Sequence, residues 1–129
     1  MKDSGKFALN RIACPSLSLP DFLNFAQKIG IGKIELRNDI RDGSVLDGIA
    51  PRKAAALLKE RGLRAVTINA LQKFNLASAR PKAKAELATL LATCVEIDCP
   101  AIVLCPNNDA ADSRPPAARF QETVDSLRE

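Results

Sequence analysis

One two-part unit is written four times along this chain. Strand-like segments at residues 7–10, 33–37, 64–69 and 101–105 are each followed by a polar loop and then an amphipathic stretch. Strict alternation of this kind implies parallel strands joined by right-handed crossovers. The strand starts recur about every 31 residues. A closed barrel of eight such units needs roughly 250 residues. The 129 residues here supply half of one.

The helices are punctuated by recognisable signals. Ser18 can cap the first, with Pro20 early in it and Asp21 three residues on. Phe22, Phe25, Ala26 and Ile29 follow at i, i+3, i+4 and i+7 and predict a buried stripe, which Gly30 and Gly32 end. Pro51 opens a second, Ala-rich helix carrying Ala54, Leu57 and Leu58, and Gly62 closes it. Pro81 starts the longest helix, with Leu87, Leu90, Leu91 and Cys94 in the same spacing. Phe120, Val124 and Leu127 mark a last one.

Two folds fit this order. One is the amino-terminal half of a (β/α)8 barrel. The other is an open doubly wound sheet, whose central strands are buried on both faces and read as continuous apolar runs. Only the fourth strand reads that way. In the others Phe7 and Leu9 oppose Ala8 and Asn10, Ile34 and Leu36 oppose Lys33, Glu35 and Arg37, and Val66 and Ile68 oppose Thr67 and Asn69. Alternation suits a barrel, with apolar residues toward the helices and polar ones toward the lumen. Residues 11–15 contain no glycine, so the dinucleotide-binding fingerprint fails. The half barrel is the favoured expectation, as a single partial domain over residues 1–129 that stops in or after its fourth helix.

Composition removes several chemistries. There is no histidine, so this chain alone builds no Ser-His-Asp or Cys-His nucleophile, no imidazole base and no His-ligated metal. Five Phe are the only aromatics and the net charge is a modest +4, a poor endowment for nucleic-acid binding. No apolar run reaches the ~18 residues of a membrane span, and no secretory signal is apparent, so a cytoplasmic location is expected. Cys14, Cys94, Cys99 and Cys105 form no CxxC and match no common zinc spacing. They read chiefly as small core hydrophobes, with a disulfide or metal role as the alternative.

Barrel sites form at the carboxyl ends of the strands. Glu35 is the sharpest candidate there. On a lumen face its carboxylate needs a partner or a ligand: it serves either as an acid/base or substrate-orienting group, or in a salt bridge to Arg37, Lys33 or Arg11. Asn10, Asn69 and Asn107 recur at comparable strand ends. Their carboxamides suit the hydroxyls and carbonyl of a sugar-like or hydroxy-keto substrate, or else cap local loops. Arg11, Arg37 and Lys73 are candidate anion binders, with Gln72 beside them and Phe74 as an apolar wall. One lumen carboxylate is not a complete catalytic centre.

At these residues the chain resembles the sugar phosphate isomerase/epimerase family, the xylose-isomerase-like TIM barrels, and within it the inosose dehydratase and hydroxypyruvate isomerase group. The carrying segments are Ser16-Leu-Ser-Leu-Pro-Asp-Phe22, Ile34-Glu-Leu-Arg-Asn-Asp39, Thr67-Ile-Asn-Ala-Leu-Gln-Lys-Phe-Asn75 and Val103-Leu-Cys-Pro-Asn-Asn-Asp109. The resemblance implies a divalent metal, Mn²⁺ or Mg²⁺, and proton transfer next to a carbonyl. It puts the metal ligands on the fifth to eighth strands, so none is expected in this chain. Glu35, Asn69, the run from Gln72 to Asn75, and Asn107 match the substrate-contacting wall. A fragment inactive alone is the leading expectation. The alternatives are a half barrel that pairs with a second copy to form a site, and a non-catalytic α/β binding or scaffold module. Unpaired edge strands make a homo-oligomer the expected state.

Overall fold

The computed structural model describes residues 5–128. Strands β1 (Leu9–Asn10), β2 (Lys33–Arg37), β3 (Arg64–Gln72) and β4 (Ile102–Cys105) alternate with helices α1 (Leu19–Lys28), α2 (Pro51–Glu60), α3 (Arg80–Glu96) and α4 (Pro116–Arg128). The sheet order is β1-β2-β3-β4 and every neighbouring pair is parallel. This order never reverses. A doubly wound sheet doubles back past its first strand and so places helices on both faces. Right-handed crossovers that all run one way place them on one face. Accordingly, α1 packs beside α2, and α2 beside α3. The four βα units match the amino-terminal half of a (β/α)8 barrel, and the doubly wound alternative falls.

The core lies between the sheet and this helical layer. Ile34, Leu36, Ala65 and Ile68 face Leu19, Phe22, Leu23, Ala26, Ala54, Leu58, Ala83 and Leu90, all buried. Ser18 caps α1 through its side chain, as expected. The buried stripe of α1 is rotated from the expected one. Leu19, Phe22, Leu23 and Ala26 form it, whereas Phe25 is exposed and Ile29 half-buried. Starting the count at Leu19, the first helical residue, gives the same periodicity and the right face.

The strands differ from expectation in phase and length. β1 pairs with β2 only at Leu9 and Asn10, and Phe7 lies outside it, exposed. In β3, Ala65 pairs with Ile34 and Thr67 with Glu35, so Val66 is an extra residue at a bulge. The bulge puts Ala65, rather than Val66, in the core beside Ile68. β3 also runs on through Gln72, where a loop was expected from residue 70. β4 is not buried on both faces. It ends the sheet, and Leu104 is exposed. No residue of α4 is buried, and Phe120 and Leu127 point outward. No helix among the described residues is long and apolar enough to cross a membrane.

One ion pair joins the first two units. Arg11, just beyond β1, is fully buried and donates to both carboxylate oxygens of Asp47, at 2.8 and 2.7 Å. It also donates to the Val45 and Leu17 carbonyls. Asp47 accepts the Leu19 N–H at the start of α1 at 2.7 Å and pairs with Arg41. Removing Asp47 leaves a buried guanidinium without its counter-charge. Asp47→Ala is therefore expected to cost about 3 kcal/mol in urea unfolding. The exposed Arg37–Asp39 pair is the control, and Asp39→Ala is expected to cost about 0.5 kcal/mol. Equal losses would show that the buried pair holds nothing.

Candidate functional site

The sheet face opposite the helices gathers polar side chains from three strands. Register sets Asn10 beside Glu35, Glu35 beside Thr67, and Arg37 beside Asn69. Glu35 is the hub. Its Oε1 accepts from Asn10 Nδ2, in close contact, and from Asn69 Nδ2 at 3.4 Å. Its Oε2 accepts from Thr67 Oγ1 at 2.6 Å. The three cations that could have paired with Glu35 are engaged elsewhere. Arg11 holds Asp47, Lys33 donates to the Gly5 carbonyl, and Arg37 Nε donates to Asp39 at 2.7 Å. That bond raises the Arg37 pKa and, from the other side, lowers that of Asp39, while Glu35 adds a smaller attraction to Arg37. A carboxylate has about four acceptor positions. Neutral donors fill three of them here, which leaves a half-buried anion able to accept one more hydroxyl.

A second group lies at the carboxyl ends of β3 and β4. A cavity of about 470 Å³ is lined by Lys73, Asn107, Asp112, Arg114 and Glu122, among others. Buried Asn75 organises it by accepting the Asn107 N–H at 2.7 Å and donating to Thr123 at 2.8 Å. Asn107 donates to Asp112, while its Oδ1 is buried and has no partner. Arg114 bonds both oxygens of Asp112, at 2.7 and 2.6 Å, and also Glu122. These bonds hold Asp112 well below the usual carboxylate range and raise Arg114. Glu122 is lowered first by the Ala77 N–H and then by Arg114.

The candidate residues thus fall into several places. Asn10, Glu35, Arg37 and Asn69 share the uncovered face. Lys73 and Asn107 share the cavity. Gln72 is exposed at the end of β3, paired in register with Cys105. Phe74 lies in the hydrophobic core, and Arg11 is buried on Asp47. Thr67 was not singled out from the sequence, although it stands two residues before Asn69 in an alternating strand. Asn38 also matters. Its side chain accepts the Ala70 N–H at 2.7 Å and donates to the Ala70 carbonyl and to Glu86, both at 2.9 Å. It thereby fixes the backbone next to Asn69, whose peptide bond to Ala70 is cis. The Asp112–Arg114–Glu122 cluster carried no signal beyond ordinary loop and helix charge.

Among the described residues, no group of three or more His, Cys, Asp or Glu side chains is arranged to hold a metal. Glu35 is a single carboxylate among amides and a hydroxyl, and this group does not by itself make a metal shell.

Known structures share this geometry. A xylose isomerase domain containing protein from Salmonella typhimurium is 32% identical, with a TM-score of 0.82 over 95% of this chain and 43% of its own. The chain is structurally homologous to the xylose-isomerase-like sugar isomerases and epimerases. An IOLI protein with a bound zinc atom has the same fold, with a TM-score of 0.82 at 19% identity over 93% of this chain and 44% of its own. So has a probable 3-DHS dehydratase from Bacillus anthracis, at 0.73 and 20% identity over 95% and 46%. No family model and no curated protein matches the sequence. The chain spans less than half the length of these xylose-isomerase-like structures, and its four units coincide with about half of their barrel.

The depressed carboxylates give a signed prediction. A carboxylate whose folded pKa is lowered contributes stability above its unfolded value, near 4, and loses it as pH falls through the folded one. The urea midpoint is expected to fall between pH 6 and pH 3. In the double variant Asp112→Asn/Glu122→Gln it is expected to start lower at pH 6 and fall less steeply. Parallel slopes would show that the cluster adds no stability.

Proposed function

We propose that this chain builds the substrate-binding wall of a metal-dependent sugar isomerase, epimerase or dehydratase that works by proton transfer next to a carbonyl. The carrying observation is the Glu35 carboxylate, held by Asn10, Thr67 and Asn69 on the face that a complete barrel would enclose. In this reading Glu35 orients a substrate hydroxyl or exchanges its proton, and Asn10 and Asn69 fix the carboxylate. Lys73 and the unpartnered Asn107 Oδ1 meet the far end of the substrate, with Arg37 and Gln72 at the rim. Arg11 and Phe74 serve by positioning the strand ends. The divalent ion, Mn²⁺ or Mg²⁺, is held by residues of a carboxyl-terminal half, and the chain alone is inactive. Four cysteines without a disulfide fit a reducing cytoplasm.

The reading frame beyond Glu129 tests the arrangement. Four further βα units with Glu, Asp and His or Gln at strand ends are expected there, and a stop codon would overturn the proposal. In a protein carrying both halves, Glu35→Gln is expected to lower kcat about 10²-fold or more if the carboxylate moves a proton. If it only orients substrate, KM rises instead with kcat nearly unchanged. A variant unchanged in both would remove Glu35 from the site.

A second reading draws on the edges. β1 and β4 each have one neighbour, and Leu91, Val95 and Leu104 are exposed beside β4. A second copy of the chain docked there would continue the sheet. Sedimentation is expected to show a dimer in that case, and a monomer at high concentration would exclude it.

A further inference from the structure

Three helices of this chain end in one kind of turn. α1, α2 and α3 each pass into a residue of positive φ, namely Gly30 at 74°, Gly62 at 65° and Asp98 at 53°. The next N–H then returns to the helix. Ile31 bonds the Ala26 carbonyl at 3.1 Å, Leu63 that of Leu58 at 2.9 Å, and Cys99 that of Cys94 at 2.9 Å. In this closure the residue after the turn returns to the helix beside the residue it bonds. In α1 and α2 the pairs are ordinary hydrophobes. In α3 they are two free thiols.

Both thiols belong to the buried core, and Cys99 Sγ donates to the Ala101 carbonyl at 3.5 Å. They also line a surface cavity of about 450 Å³ with Leu87, Leu91, Val95 and Ile102. Val95 is 82% exposed, so the cavity opens to solvent beside the pair. Asp98 is the one charged residue in its lining. Cys14 and Cys105 do not line it. The backbone bond holds the two residues close, and closeness of the main chains is one requirement of a disulfide.

We propose that Cys94 and Cys99 form a reversible dithiol modification site that small, uncharged disulfides enter through this apolar cavity and close to an intrachain disulfide. One cysteine thiolate attacks the reagent's S–S bond, forming a mixed disulfide and releasing one reagent thiol. The second thiolate then attacks the protein sulfur of that adduct. The Cys94–Cys99 bond forms and the second reagent thiol leaves. The protein dithiol is oxidised, the reagent is reduced, and the two protons end on the two released thiols. Burial and the neighbouring Cys99 push the Cys94 thiol up to about 11, so that thiol stays protonated and reacts slowly at neutral pH.

The test is native chain treated with 2-hydroxyethyl disulfide, then quenched and cleaved after Glu96, which lies between the two cysteines. Closure is expected to remove two hydrogen atoms from the intact mass and to leave the two cleavage peptides joined until reduction. The rate is expected to rise from pH 7 to pH 9 with the thiolate fraction. Cys94→Ser is expected to trap the mixed disulfide on Cys99, while Cys14→Ser/Cys105→Ser closes like the parent. Peptides that separate without reduction would overturn the proposal. So would a link to Cys14 or Cys105, or reaction only after unfolding in urea.

Discussion

Everything on the uncovered face depends on helices being confined to the other one. A sheet built in the order of the chain, with every crossover of the same hand, has one face in a hydrophobic core and one without. Each strand then needs two chemistries in alternation. Ile34, Leu36, Ala65 and Ile68 meet the first need and Asn10, Glu35, Thr67 and Asn69 the second. The consequence for chemistry lies in how Glu35 is solvated. Amide and hydroxyl donors make its charge tolerable without cancelling it, whereas an arginine partner would have satisfied it. The two candidate arginine partners are engaged by carboxylates of their own, Asp47 for Arg11 and Asp39 for Arg37.

Much of this was legible in the sequence because it is local. Repeat length, helix starts and the polar face of β2 follow from spacing and capping within a few residues. What escaped is what distant partners decide. Arg11 looks like a strand-end anion binder until Asp47, on the following loop, reaches it. Phe74 reads as an apolar wall of the site until the turn after the extended β3 places it in the core. The bulge at Val66 inverts the side-chain phase by one residue, and only its pairing with β2 reveals that. Periodicity located the face of α1 only approximately, because choosing between Phe22 and Phe25 requires knowing what the helix packs on.

The last helix is attached differently from the others. α1, α2 and α3 each bury apolar residues, whereas α4 buries none. It is held through Thr123 on Asn75 and through Glu122 on the Ala77 N–H and Arg114. The two Glu122 tethers are charge-assisted and not fully buried, so salt and acid weaken them more than they weaken the core. The same tethers shape the cavity around Lys73 and Asn107. The order of that cavity therefore rests on the seating of α4.

The sequential strand order bears on how the chain comes to be folded. Each strand pairs with its immediate predecessor, α1 lies against α2, and α2 lies against α3. No contact in the sheet waits for a strand several units away, so every loop to be closed is about one unit long. During synthesis each unit can dock as soon as it emerges, on a template already made. The Arg11–Asp47 bond would form early in that sequence, once the loop before α2 is available, and would seal the first two units before the third is complete.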